Sequence, residues 1–255
     1  MREEAYGVSG GKNAWGCEGV FCTCENYGEE GTSLRHALSR KLKGWENVAD
    51  SIMTREEFGR KVIETATAYA NYRWIPTEKN CFHGLDEDGR YVDTPDVTWR
   101  GEVLDCGWWK VGKENIGIPY GWGNASTLGD FEEGLRAGKY AGNVPEDKSR
   151  YGSHYTVGVD CSGLLSICWK LPKKIATRDI PQYADELESL DELRQGDVFA
   201  KVGSHVMLFK EFADETKEWI MIVDATRSTG KVSERKVCVA ELIQDGYRMF
   251  RKKET

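Results

Sequence analysis

Between residues 196 and 226 three apolar segments follow one another with only short polar breaks: GDVFAKV, SHVMLFKEF and EWIMIVDAT. Each is short, rich in Val, Ile, Phe and Met, and bounded by Gly, Ser, Asp or Glu, which is the pattern of a strand. The segment KVSERKVCVAEL beyond them is expected to add one or two strands more. A chain that commits to such a run must bury a sheet, and what precedes the run decides how.

What precedes it is helical. In TREEFGRKVIETATAYANY, residues 54–72, Thr54 can cap a helix and Glu57 completes a capping box. Phe58, Val62, Ile63, Ala66 and Tyr69 then share one face. Further on, Asp160 is a good N-cap for an apolar run from Cys161 to about Lys170, which Pro172 stops. DFEEGLRAGKY, around 130–140, has weaker helical character. Helices first and neighbouring strands after them predict an α+β domain built on an antiparallel sheet. That domain is expected over 51–255. Residues 1–50 lack a clean hydrophobic period and are broken repeatedly by Gly, so they are expected to form an N-terminal arm.

Several classes of function fall away on composition. A chain of 255 residues is ample for a packed core. A net charge of −7 with no clustered basic stretch is not that of a nucleic-acid binder. No apolar run approaches the ~20 residues of a membrane span. The start, MREEAYGVSGG, has no apolar signal-peptide core, so the chain as given is cytoplasmic, or exported with its signal removed. Cys17, Cys22 and Cys24 have the spacing C-x4-C-x-C, which lacks the fourth ligand and paired knuckles of a zinc site. No metal or cofactor is expected; a disulfide or free thiols suit these cysteines better.

One cysteine stands apart from the other seven. Cys161 falls at the first turn of its helix, where free backbone N–H groups and the macrodipole favour an anion, and the thiolate is the nucleophilic form of cysteine. Ser162 and Gly163 leave room for a substrate backbone. Cys168, two turns on, is expected to point into the core. A thiolate needs a base that later serves as acid for the leaving group. His205 opens a strand and so is held rigidly; His154 is its rival, in the flexible-looking setting YGSHYT. His36 and His83 read most simply as surface residues. Asp224 ends the apolar strand EWIMIVDAT. It either pairs with His205, fixing the tautomer of the ring, or merely begins the turn DATRSTG.

In order along the chain, IPYGWGN, VDCSGLL, LRQGDVFAKVGSHVMLF and IMIVDATRSTGKV resemble the NlpC and P-sixty family of bacterial cell-wall cysteine peptidases. The resemblance covers roughly residues 55 to 240. It implies a papain-like α+β fold, the nucleophile helix packed on an antiparallel sheet, with Cys161 as nucleophile, His205 as base and Asp224 as the third polar residue. It implies that Tyr120 lies beside the nucleophile, that Asp160 can bind a substrate amine, and that Trp122 and Ser204 contribute to substrate binding. The implied reaction is hydrolysis of the amide between D-glutamate and a diamino acid in peptidoglycan stem peptides, through a thioester and without a cofactor. Acyl transfer on the same scaffold and a non-catalytic binding module are the alternatives. Asn124 stands where the family has a second Gly, Met207 where a Gly commonly follows His-Val, and 124–159 forms an insertion. The insertion joins two segments expected at the cleft, so it is expected to wall one side of it.

Overall fold

The computed structural model describes residues 53–96, 108–145 and 152–254. Expectations that concern the N-terminal arm, His36, Cys17, Cys22 and Cys24 lie outside these residues.

The first helix, α1 (Arg55–Ala70), begins as its sequence predicts: the Thr54 hydroxyl accepts from the Glu57 N–H and the Glu57 carboxylate accepts from the Thr54 N–H. Val62, Ile63, Ala66 and Tyr69 are buried along one side, the i, i+4 and i, i+3 spacing of an amphipathic helix. α2 (Leu128–Arg136) repeats the capping box with Thr127 and Asp130. α3 (Cys161–Cys168) is capped by Asp160 and is buried nearly all round.

Six strands form one sheet: β1 (Ala184–Glu186), β2 (Val198–Lys201), β3 (His205–Phe212), β4 (Trp219–Thr226), β5 (Lys231–Cys238) and β6 (Arg248–Lys252). Their spatial order is β5-β4-β3-β2-β6-β1, and every neighbouring pair is antiparallel. The domain is therefore α+β with an antiparallel sheet, as the helix-then-strand order predicts. KVSERKVCVAEL supplies one strand, within the one or two expected, and then enters a short helix, α4 (Val239–Gln244), in which Val239 and Leu242, three residues apart, bury together.

Side chains alternate across the sheet, and both faces are covered. One face sends Val198, Ala200, Val206, Leu208, Val223, Ala225 and Val232 against α1 and α3. The other sends Phe199, Met207, Phe209, Ile220 and Ile222 against Leu187, Leu193 and α4. This is the period-2 division expected of strands buried on two sides.

α1 and α3 are tied to the sheet by a tight turn at 194–197. Gly196 adopts φ +86°, which an L side chain rarely takes, and a Cβ there would lie 2.8 Å from the Gly59 Cα. The Trp169 indole donates to the Gly196 carbonyl at 3.0 Å. Buried Asp197 caps the turn through the Arg194 N–H and receives the Arg251 guanidinium on both carboxylate oxygens. The GDVF segment thus holds a structural joint as well as the start of β2.

Candidate active site

His205 is the first residue of β3, and the alternation of side chains puts it on the same face as Met207 and Phe209. β4 pairs with β3 so that Ile222 lies opposite Phe209, which places Asp224, two residues on, on that face too. β5 pairs Ile222 with Arg235. One end of a hydrophobic sheet face therefore carries three polar side chains from three strands.

They form a chain. The His205 Nε2 lies 2.8 Å from Asp224 Oδ2. The Arg235 guanidinium donates to both carboxylate oxygens, from Nε to Oδ1 at 3.1 Å and from a terminal nitrogen to Oδ2 at 2.7 Å. Asp224 is 1% exposed. Burying that charge would be costly alone, and two cationic partners compensate it. Burial pushes the Asp224 pKa up, but the hydrogen bonds from His205 and Arg235 outweigh it and hold the group below the ordinary carboxylate range. The Tyr247 ring meets His205 edge to face, 6.4 Å between centroids.

The other face of the sheet carries α3, whose N-terminus brings Cys161 to the same end. Cys161 lies near enough to His205 to help raise the pKa of the ring. With Nε2 engaged by Asp224, Nδ1 is the nitrogen left for sulfur. Burial lowers the His205 pKa, but the hydrogen bond to Asp224 and the proximity and charge of Cys161 prevail and raise it to about 9. The ring is thus poised to stay protonated at neutral pH.

Asp160 anchors the start of α3. Its Oδ1 accepts from the Gly163 N–H at 2.6 Å and the Ser162 hydroxyl at 3.0 Å; its Oδ2 accepts from the Gly123 N–H at 2.9 Å and pairs with Lys174 Nζ at 2.9 Å. One carboxylate therefore locks the DCSG segment to the YGWGN segment. A substrate ammonium at Asp160 would have to share it with Lys174 or displace that side chain. Gly163 is dictated by the same junction, since a Cβ there would sit 2.1 Å from the Asn124 carbonyl oxygen.

Cys161 opens on a cavity of about 360 Å³ lined by Trp122, Asp160, Ser204, Lys174 and Arg178, among others. Of the residues expected to bind substrate, Trp122, Asp160 and Ser204 thus border the cavity at Cys161. Tyr120 is buried within the core, close enough that burial first, and the charges of Cys161 and Asp160 next, push its pKa up. A larger hollow of about 570 Å³, between α2 and residues 152–157, includes neither Cys161 nor His205.

Two sequence expectations change, and the rival base lies away from Cys161. The insertion does not wall the cavity with its helix: α2 turns Phe131 into an aromatic cluster with Tyr72 and Trp74, and Gly152 is the one described residue of the insertion that lines the cavity. His154 is 60% exposed and faces Asp88 at 3.1 Å, on the surface rather than beside Cys161. His83 is not a surface residue. Its Nδ1 lies 2.6 Å from Asp93 and its Nε2 3.0 Å from Asp96, with only 17% of the side chain exposed.

Cys81, His83 and Asp96 form a second Cys/His/Asp grouping, compatible in composition with a catalytic triad. The arrangement differs from that of Cys161. Asp96 reaches both other members, accepting from the Cys81 thiol at 3.1 Å while it meets His83 Nε2. Burial first, then the Asp96 hydrogen bond and charge, push the Cys81 thiol up to about 12. The signal for this grouping was the spacing C-x-H followed by T-P-D, too sparse to stand out in sequence.

No protein-family model matches the chain, and no curated protein or solved structure matches it.

Proposed function

We propose that the protein is a cysteine peptidase of the NlpC type, with a papain-like domain, acting on an amide bond in peptidoglycan stem peptides. The observation that carries this reading is the relay at the end of the sheet. A thiol at a helix start neighbours a histidine that a fully buried aspartate holds at 2.8 Å.

In this reading Cys161 and His205 exist as thiolate and imidazolium. The thiolate attacks the amide carbonyl carbon. Asp160 takes the N–H groups of Gly163, through its side chain, and Leu164, through its carbonyl. Those of Cys161 and Ser162, one step earlier on α3, are left to hold the oxyanion. His205 passes its proton to the departing amine, the C–N bond breaks, and a thioester remains. Water then attacks the thioester, His205 takes its proton, the C–S bond breaks and the acid leaves as the thiolate and imidazolium are restored. Asp224 keeps the ring oriented and compensates its charge, and Arg235 keeps Asp224 in place. The cationic side chains of Lys174 and Arg178 at the cavity suit a substrate that carries a carboxylate, as stem peptides do.

Mass spectrometry of peptidoglycan fragments after incubation tests the reading. The expected products end in D-glutamate and are absent with Cys161→Ala. Products joined to an added amine instead would assign acyl transfer, and no Cys161-dependent product from any stem peptide would leave the reading without support.

A further inference from the structure

The Cys81 grouping has a geometry that the relay at Cys161 does not use. The Cys81 Sγ and His83 Nε2 lie 3.7 Å apart, His83 Nε2 and Asp96 Oδ1 3.0 Å, and Cys81 Sγ and Asp96 Oδ2 3.1 Å. A tetrahedral ion with bonds of about 2.3 Å to sulfur and about 2.0 Å to nitrogen and oxygen separates its ligands by roughly 3.3–3.6 Å. The two contacts of Asp96 use different carboxylate oxygens, and one ligand atom from each of the three residues lies within 4.8 Å of the other two, close enough for small side-chain rotations to bring them to the corners such an ion requires. They come from two segments: Cys81 and His83 enter the hairpin of His83–Leu85 with Tyr91–Asp93, and Asp96 follows it.

The surroundings of the histidine argue in the same direction. Asp93 Oδ1 sits 2.6 Å from His83 Nδ1, which fixes the ring so that Nε2 points at Cys81 and Asp96. A carboxylate on the far nitrogen of a ligating imidazole is the arrangement that orients histidines at zinc and raises their basicity. Asp93 is itself held: its N–H donates to the Asn143 side chain at 3.0 Å and its carbonyl accepts from the Val144 N–H at 2.7 Å. The Asn143 backbone in turn bonds Tyr120 and Trp122, at 2.7 and 3.0 Å. The hairpin is thereby continuous with the segment that borders Cys161.

We propose that Cys81, His83 and Asp96 are ligands of a divalent cation of the zinc class, with Asp93 as the residue that positions His83. Sulfur, imidazole and carboxylate together suit zinc better than magnesium or calcium, which prefer oxygen alone. Entry of the ion releases the Cys81 thiol proton and any proton on His83 Nε2. Water, or a further ligand, takes the fourth position. The ion clips the hairpin to the chain beyond it and so stiffens the support of Tyr120 and Trp122. The expectation of no metal came from the N-terminal cysteines, and this site uses none of them.

The test uses the full chain carrying Cys161→Ser, so that the nucleophile cannot contribute. Purified protein is expected to hold about one zinc per chain by elemental analysis. After chelation, cobalt(II) alone should restore one equivalent with a thiolate-to-metal charge-transfer band. Cys81→Ser should abolish that band, and Asp93→Asn should weaken cobalt binding about 10- to 100-fold with the band retained. The melting temperature of the chelated protein should rise on adding zinc, a readout that needs no variant to fold. The proposal is overturned if wild-type Cys81 protein binds neither ion stoichiometrically, or if the cobalt band persists unchanged in Cys81→Ser. These readouts do not depend on peptidase activity, so they stand apart from the outcome at Cys161.

Discussion

Replacing Asp224 by Asn isolates the charge that holds His205 in its protonated form. The ring sits at about 9 against an ordinary 6.5. At 1.36 kcal/mol for each pH unit, that difference is roughly 3 kcal/mol of preference for the imidazolium. Burial opposes it, so the carboxylate of Asp224 and the thiolate of Cys161 supply all of it and more. Without the carboxylate, burial acts against Cys161 alone, and the pKa of His205 should fall well below 9. The sign for turnover follows. The leaving amine needs a protonated His205, so the alkaline limb of kcat/KM should lie near pH 9 in the wild type and move down by about two units in Asp224→Asn. With tenfold for each 1.36 kcal/mol, loss of the full preference would cost two to three decades in rate, and a loss of about 10²-fold is expected because Cys161 retains part. The variant should remain folded, because the Arg235 side chain is 34% exposed and can turn its charge to water. The assay is the pH profile of kcat/KM on a synthetic stem peptide, with NMR titration of the His205 ring and thermal melting as controls. An alkaline limb still near 9 at undiminished rate, in a folded variant, would refute the reasoning and reduce Asp224 to a turn residue.

Limited alkylation near neutral pH should label Cys161 before any other of the eight cysteines, as read by peptide mass mapping; first labelling at Cys22 or Cys24 would count against the nucleophile. Gly163→Ala places a Cβ 2.1 Å from the Asn124 carbonyl oxygen, so it should cost about 1–3 kcal/mol in thermal or denaturant unfolding and displace Cys161 enough to lower turnover. His154→Ala should leave kcat and KM near wild type, since the ring faces Asp88 on the surface; a drop of a hundredfold would reinstate it as the base.

Local patterns in this chain were decisive wherever the interaction itself is local. The capping box of Thr54 and Glu57 and the cap of Asp160 each join residues three apart, and both appear in the structure as their spacing predicts. The continuous apolar runs in HVMLF and WIMIVDAT need no partner to be legible as strands, because short runs of Val, Ile, Met and Phe between polar breaks mark strands buried on both faces. Cys161 at a helix start and His205 at a strand start were legible for the same reason. The pairing of Asp224 was left open between a triad and a turn, because it depends on the register of β3 with β4. Tertiary structure alone resolved that geometry. It supplied Arg235, whose guanidinium reaches Asp224 only when β5 pairs with β4. It set Lys174 on Asp160, turned α2 away from the cavity, and drew His83 between Asp93 and Asp96. Charge pairing and metal geometry are fixed by distances across the fold, which residue types at a given sequence spacing do not encode.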